Sequence, residues 1–442
     1  MAVHARDRRG RPVAVTGRAG LLALAGLVPV LAVPGPVTVL GWLVLVLGAI
    51  GLDLALAGSG RLLSVRRQAV PAVRLGEGVT AQVVLTNHGR RTVRGAVRDA
   101  WQPSAGAVTG VRPVELAPGG SCRIRTRLVP RRRGDRRTQC LTVRSLGPLG
   151  VAARQRDVPA PGAVRVLPPF TSRKHLPGRL SRLRELDGRT SVMLRGQGTE
   201  FDSLRDYVIG DDVRSIDWRA TARRQQVVVR TWRPERDRRV LIVLDTSRTS
   251  AARVGDAPRL DAAMDAALLL AALAARAGDR VDMMAVDRRV RARVEGVAAR
   301  SLLPALVEAM APLEPDLVET DWTQVVSAVR SHLTRRSLVV LFTGLDASAL
   351  EEGLLPVVHR LTSHHQVLVA SVGDPHIARM AAGRGDARAV YSAASAERSR
   401  IERSAVTAEL VRAGVEIVES SPEELPPRLA DRYLALKAAG RL

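Results

Sequence analysis

Val240-Leu241-Ile242-Val243-Leu244-Asp245-Thr246-Ser247-Arg248-Thr249-Ser250 decides the fold. Five apolar residues run without a polar break, three of them β-branched, as in a strand buried on both faces. The chain then turns abruptly polar. Leu260–Ala277 follows as a helix, densely apolar over Leu268–Leu273 but too short and too acid-flanked to span a bilayer. Strands are predicted at Arg280–Val286 and Val290–Val294, joined by a tight turn and so antiparallel. Helices follow near Arg300–Met310 and Thr323–Leu333, then strand Leu338–Phe342, helix Ala349–Thr362 and strand Gln366–Val372. Helix Ala394–Ala413, strand Val415–Val418 and helix Pro422–Ala438 complete the pattern. Residues 240–442 therefore read as a doubly wound, Rossmann-type α/β sheet with one antiparallel edge strand. Ligands of such sheets sit beyond the strands' C-terminal ends, where the winding reverses. That point is expected at Asp245.

Upstream, the pattern changes four times. Ala19–Val33 and Val37–Ala57 are apolar and flank the turn Pro34-Gly35-Pro36, which predicts a two-helix membrane hairpin over 19–57. The first run is short and holds Pro29, so Val13–Val15 or local thinning of the bilayer would have to help it across. Asp53 lies inside the second run, near the interface or paired with the first helix. The basic segment 1–18 carries Arg6, Arg8, Arg9, Arg11 and Arg18; Arg61, Arg66 and Arg67 follow the hairpin. Both flanks, and all that comes after, are therefore expected in the cytoplasm. Residues 62–166 alternate in short runs with Gly/Pro turns, as in a small β-sandwich. Its Arg131–Arg137 loop reads as a solvated hairpin end that could touch anionic headgroups. Residues 167–195 are Arg-rich and poorly periodic, a connector.

The 442 residues carry a formal charge of +25, almost all of it arginine, which favours anionic lipid or an acidic partner. Arg over Lys and Ala over Ile fit a GC-rich bacterial genome. Nucleic acid is disfavoured: the arginines are dispersed, and at 2% aromatic content few rings are available for stacking on bases. Cys122 and Cys140 fall on opposite strand faces by alternation, which argues against a disulfide and for bland thiols in a reducing compartment.

The Asp245-Thr246-Ser247-Arg248-Thr249 turn resembles the D-x-S-x-S metal-ion-dependent adhesion site of von Willebrand A-type (vWA) domains, with Thr249 as the last hydroxyl. Hard divalent cations want such oxygen ligands. The resemblance implies that Ser247 and Thr249 ligate Mg²⁺ or another divalent cation while Asp245 holds a water. It also implies a further Thr from a later loop, for which Thr320, beside Asp321, is placed. The carboxylate expected after the fourth strand is missing: Gly344 takes its place and Asp346 comes two residues late. The expected site is degenerate and its cation weakly bound. Alternatively, the same side chains simply hydrogen-bond the turn and cap the next helix.

Segment 196–239 holds a longer motif: Gly196, Gly198, Glu200, Phe201, Leu204, Arg205, Tyr207, Gly210, Asp211, Asp212, Arg214, Asp217, Trp218, Thr221 and Arg223. It resembles the signature of the domain-of-unknown-function fifty-eight family, whose layout of hairpin, β domain and C-terminal α/β domain is similar. From the residues alone, Asp211 or Asp212 would cap a helix running to Ala222. Arg205, Arg214 and Arg223 would pair with Glu200, Asp206 and Asp217, and Trp218 would anchor the segment against the sheet.

The resemblance implies work beside a MoxR-type AAA+ ATPase in assembling or activating other proteins. The expected function is that of a membrane-anchored, non-catalytic adaptor binding partners through its vWA-like face. One rival is a metal-dependent hydrolase using Asp245 with Asp211, Asp212 and Asp217, though no His or Cys nucleophile accompanies them. The other is an Arg-rich membrane-surface or nucleic-acid binder. Convergence of the acids on Asp245 would favour the enzyme; acids held by arginines would favour the adaptor.

Overall fold

The computed structural model describes residues 13–442 except 109, 194–199 and 234–237. Most of the N-terminal basic segment, with Gly196 and Gly198 of the motif, therefore lies outside the described residues. The chain divides into two compact units, one ending at Leu167 and the other beginning at Pro168.

In the first unit Val13–Val15 is a strand (β1), not a helical extension of the first apolar run. It pairs antiparallel with Ala152–Arg154 of a later strand. Helices α1 (Gly17–Ala25) and α2 (Leu27–Ala32) follow, then α3 (Pro36–Leu56), with Pro36 in its first turn where a missing N–H costs nothing. The segment from Pro36 to Leu62 is long and apolar enough to cross a membrane. The first run packs against α3, and the Trp42 indole donates to the Leu22 carbonyl at 3.1 Å. A Cβ on Gly26 would lie 2.2 Å from that indole, so only glycine admits the contact. The outward residues are bare: Val28, Leu31, Val37, Leu40 and Val44 are all exposed.

Asp53 does not pair with the first helix. It is fully buried, and its carboxylate accepts from the backbone N–H groups of Leu149 (2.7 Å), Val151 (2.6 Å) and Ala152 (2.9 Å). The last turn of α3 thus grips a turn of the β region. Thr16 binds the same turn, its N–H to the Val151 carbonyl and its hydroxyl to that of Gly150.

That region holds β2 (Leu63–Arg67), β3 (Val73–Arg74), β4 (Val79–Asn87), β5 (Val93–Trp101), β6 (Arg112–Leu116), β7 (Ser121–Leu128), β8 (Gly134–Leu146) and β9 (Ala152–Leu167). One sheet runs β2-β4-β7, the other β1-β9-β8-β5-β6 with β3 against β9. Alternation puts Val83, Leu85 and Ile124 of the first and Val97, Leu141 and Val143 of the second into one core. Cys122 packs at its margin, and both thiols are free and half-buried. Burial pushes the Cys140 thiol pKa up. The Arg131–Arg137 loop is more tied down than a solvated tip: Arg133 is buried, and Asp135 pairs with Arg165 at 2.9 Å.

In the second unit the expected connector contains a helix, α4 (Leu176–Met193). Its Leu183 is buried, and Arg179 and Arg182 grip Asp431 at 2.9 and 3.0 Å. Strands β10 (Glu200–Asp206) and β11 (Val228–Arg233) form a two-stranded antiparallel sheet around a short helix, α5 (Trp218–Arg224). The main sheet opens with β12 (Arg239–Asp245). Then come the single-turn α6 (Arg248–Ala251) and the two-residue strands β13 (Arg253–Val254) and β14 (Ala257–Pro258). They are followed by α7 (Arg259–Arg276), β15 (Arg280–Val286), β16 (Val290–Val294), α8 (Ala299–Met310), α9 (Trp322–His332) and β17 (Leu338–Phe342). The chain closes with α10 (Ala347–Ala349), α11 (Leu355–Thr362), β18 (Gln366–Val372), α12 (Pro375–Ala381), α13 (Ala387–Arg412), β19 (Glu416–Ser420) and α14 (Leu425–Ala438).

The strand order is β16-β15-β12-β17-β18-β19, parallel except for β16 on the edge. One face packs residues such as Leu241, Val243 and Leu341 against α9, α11 and α13; α7 and α14 pack on the sheet with the alternate residues. Winding goes one way from β12 to β15 and the other way to β17, so the crevice opens at Asp245.

Candidate functional site

The β12 carboxylate gathers hydroxyls from three separate loops. Asp245 Oδ1 accepts from the Ser247 N–H at 2.9 Å and the Thr320 hydroxyl at 2.8 Å. Its Oδ2 accepts from the Thr249 hydroxyl at 2.8 Å and that of Thr343 at 2.7 Å. Ser247 Oγ and Thr249 Oγ1 lie 3.2 Å apart. Thr320 comes from the loop before α9 and Thr343 from the end of β17, so the sheet order brings them together. Asp245, Ser247, Thr249 and Thr343 are all buried. Asp245, Ser247, Thr249 and Thr320 are the residues that the sequence marks for this site. Thr343 was missed, although a hydroxyl directly after the neighbouring parallel strand was its available signal.

The two spare acids do not join. Asp321 caps α9 by accepting from the Gln324 N–H. Asp346 is held by Arg259 at 3.2 Å, and Arg259 Nη1 also reaches the Thr249 carbonyl at 3.5 Å. A Cβ on Gly344 would lie 3.1 Å from that guanidinium and 2.8 Å from Asp346 Oδ2. The donor set, one carboxylate with four hydroxyls, is all oxygen and of the kind Mg²⁺ takes. Its charge is meagre: the second carboxylate is neutralised by a buried arginine beside the site. The residues fit a hard cation weakly.

The motif segment is built differently from its expected form. Asp212 caps a single 3₁₀ turn at Val213–Ser215, and Asp217 caps α5 by accepting from the Arg219 and Ala220 N–H groups, both at 3.0 Å. No single helix runs through. Arg205 forks onto Asp211 at 2.7 and 2.5 Å, and Arg230 binds Asp217 at 2.8 Å. The Arg205 hydrogen bond holds the Asp211 carboxyl below its ordinary range. For Asp217 the Ala220 N–H does so first and Arg230 second. Leu204 sits opposite Arg230 in the β10–β11 ladder, and Tyr207 donates its N–H to the Val227 carbonyl. Gly210 takes a φ of 108° in the turn, and the Thr221 hydroxyl accepts from the Val228 N–H. Glu200 and Phe201 lie on the backbone of β10. Arg214 and Arg223 do not pair with Asp206 or Asp217, and the Glu200 side chain lies outside the described residues. Trp218 is 67% exposed, so it is no buried anchor. Asp211, Asp212 and Asp217 are spent on Arg205, Arg230 and their own backbone; none bonds to Asp245 among the described residues.

The family described as "Protein of unknown function DUF58" matches residues 203–416. Uncharacterized proteins of Mycobacterium tuberculosis and Mycobacterium bovis are 26% identical over 185 residues, covering 41% of this chain and 57% of each relative. The chain thus spans a little over half the length of the curated relatives it matches. Among solved structures, an ASH/PapD-like domain of human CEP192 (15% identity, 84% of that chain) matches 24% of this chain at a TM-score of 0.18. A CARDB domain from Pyrococcus furiosus (19% identity, 94% of that chain) matches the same share at 0.18.

Proposed function

We propose, from the premise that residues 203–416 are a DUF58-family segment, that this chain is a membrane-anchored, non-catalytic adaptor. In this reading 19–57 is a transmembrane hairpin, the β region a sandwich and the α/β unit a vWA-like domain. The α/β unit's Asp245 crevice presents a docking face to a protein partner, a MoxR-type AAA+ ATPase by family resemblance. The observation that carries it is the single carboxylate at the sheet's reversal point, ringed by Ser247, Thr249, Thr320 and Thr343. Such a ring can hold a weak Mg²⁺ and leave a coordination position for a partner's oxygen. Pairing of Asp211 and Asp217 with Arg205 and Arg230 supports the adaptor over the hydrolase, whose acids would have to converge on Asp245.

The anchor reading draws on both ends of the apolar stretch. β1 and Thr16 before it, and Asp53 at its far end, hold one turn, residues 147–154. A hairpin whose two ends grip one turn enters and leaves the bilayer on one side. Asp53 ends the lipid-facing part of α3, leaving about 25 Å of helix from Pro36 to Leu52, slightly short of the ~30 Å hydrocarbon core.

The test is a pull-down from native membranes followed by reconstitution with the purified ATPase encoded in the same genome. Binding should need Mg²⁺ and fall at least about tenfold in Asp245→Ala, the equivalent of roughly 1.4 kcal/mol. An ATPase that binds wild type and Asp245→Ala alike would refute the docking face.

A further inference from the structure

The motif segment leaves large apolar side chains in water. Ile209 is 97% exposed, Trp218 67%, Val208 61% and Val213 60%. They belong to two pieces of chain pinned to neighbouring residues of one strand region. Tyr207, just before Val208, donates its N–H to Val227, and Asp217, just before Trp218, donates to Val228. The Val208–Asp211 turn and the start of α5 therefore stand side by side. Four exposed apolar residues in so short a stretch exceed the scattered exposure of an ordinary surface.

The charge around them is one-sided. Arg205 and Arg230 are neutralised by Asp211 and Asp217. Arg214, Arg219, Arg223 and Arg224 are exposed and carry no ion pair among the described residues, against the exposed acids Asp206 and Asp212. An aromatic and aliphatic tip ringed by arginines is the composition of an interfacial anchor: apolar side chains enter the acyl boundary and guanidinium groups meet phosphates.

We infer that the Val208–Val213 turn and the start of α5 dock on an anionic bilayer surface. The occupant follows from the excess positive charge, from the exposed tryptophan, and from the apolar helix Pro36–Leu56 of the same chain. A chain held at the bilayer presents any interfacial patch at high effective concentration, so a modest patch suffices. The inference rests on the membrane-anchor reading above. It assigns to the DUF58 motif a second, reversible contact that sets how the α/β unit is presented.

The experiment uses the full chain in nanodiscs of phosphatidylcholine with and without phosphatidylglycerol. Carbonate extraction from native membranes reports the anchor separately. Amide exchange is followed at residues 207–219. Protection should appear with phosphatidylglycerol, weaken at high salt and in pure phosphatidylcholine, and drop about tenfold in the Ile209→Ser, Trp218→Ser double variant. Thermal melts of the variant should match wild type, since both residues are exposed. Equal exchange in both discs overturns the proposal. So does protection that appears only on adding the purified ATPase, which would give the patch to a protein. A chain removed by carbonate would sink the anchor reading, while the phosphatidylglycerol dependence would still decide the patch.

Discussion

Arg259 is where a single side chain decides the chemistry of the crevice. It is buried, its Nε has no partner among the described residues, and its guanidinium neutralises Asp346 beside Gly344. A fixed positive charge against the Thr249 carbonyl opposes a divalent cation, and it occupies the acid that could have completed the shell. Arg259→Gln should therefore strengthen Mg²⁺ binding severalfold in titration calorimetry on the full chain, whereas Asp245→Ala should abolish it. Unchanged affinity in Arg259→Gln would show that Asp346 plays no part. The serine and threonine of the loop also carry stability, because they are buried and bound to Asp245. Thr249→Ala removes a hydrogen bond to a buried carboxylate and should cost about 1.5–3 kcal/mol in a denaturant melt. Asp245, Ser247 and Thr249 were legible because a buried strand ending in D-x-S-x-T fixes where its hydroxyls point, and Thr320 only through the resemblance to vWA domains. Thr343 and Arg259 were not, because only the strand order puts their loops beside β12.

At the scale of elements, the β10–β11 hairpin with α5 is held by polar contacts. The Arg205–Asp211 and Arg230–Asp217 pairs and the Asp217 cap keep both carboxyls below their ordinary pKa. A depressed carboxyl contributes stability that is present above its unfolded pKa of about 3.9 and is lost as pH falls through the folded value. Amide protection of residues 204–230 should thus hold at neutral pH and be lost below about pH 4, ahead of the main sheet, with the salt-sensitivity of exposed pairs. Loss together with the main sheet would mean that packing, and not these pairs, holds the hairpin. Trp218→Ala, in turn, should shift stability by no more than about 0.5 kcal/mol. Burial had been assigned to Trp218 from its size, but large apolar residues can be exposed, and α5 is only seven residues long. The same limit hid α4: its sequence lacks a clear apolar stripe, and the helix is fixed from outside by Asp431. The α/β order after Val240 was readable because the central strands β12 and β17 are continuous apolar runs; helix α12 escaped it.

For the whole molecule, the decisive feature is the turn at 147–154. Its N–H groups are taken by Asp53 and its neighbouring strand by β1, so both ends of the apolar stretch meet one surface of the β region. Positive-inside asymmetry alone had suggested both flanks on the cytoplasmic side; a shared docking turn is an independent reason for them to share a side. Asp53→Ala would leave three backbone N–H groups unsatisfied, two of them bound within buried surroundings, at a cost of about 3 kcal/mol or more. It should also free the end of α3, raising protease sensitivity near Leu56–Arg67 while leaving the α/β unit intact. Reporter fusions to the N-terminus and after Arg67 should both read cytoplasmic in wild type. In Asp53→Ala the second should stay cytoplasmic if Arg61, Arg66 and Arg67 set the orientation, and become mixed if the docking turn does. A periplasmic signal from the second fusion in the wild-type chain would break the hairpin reading, since a single crossing cannot leave β1 and Asp53 on the same turn.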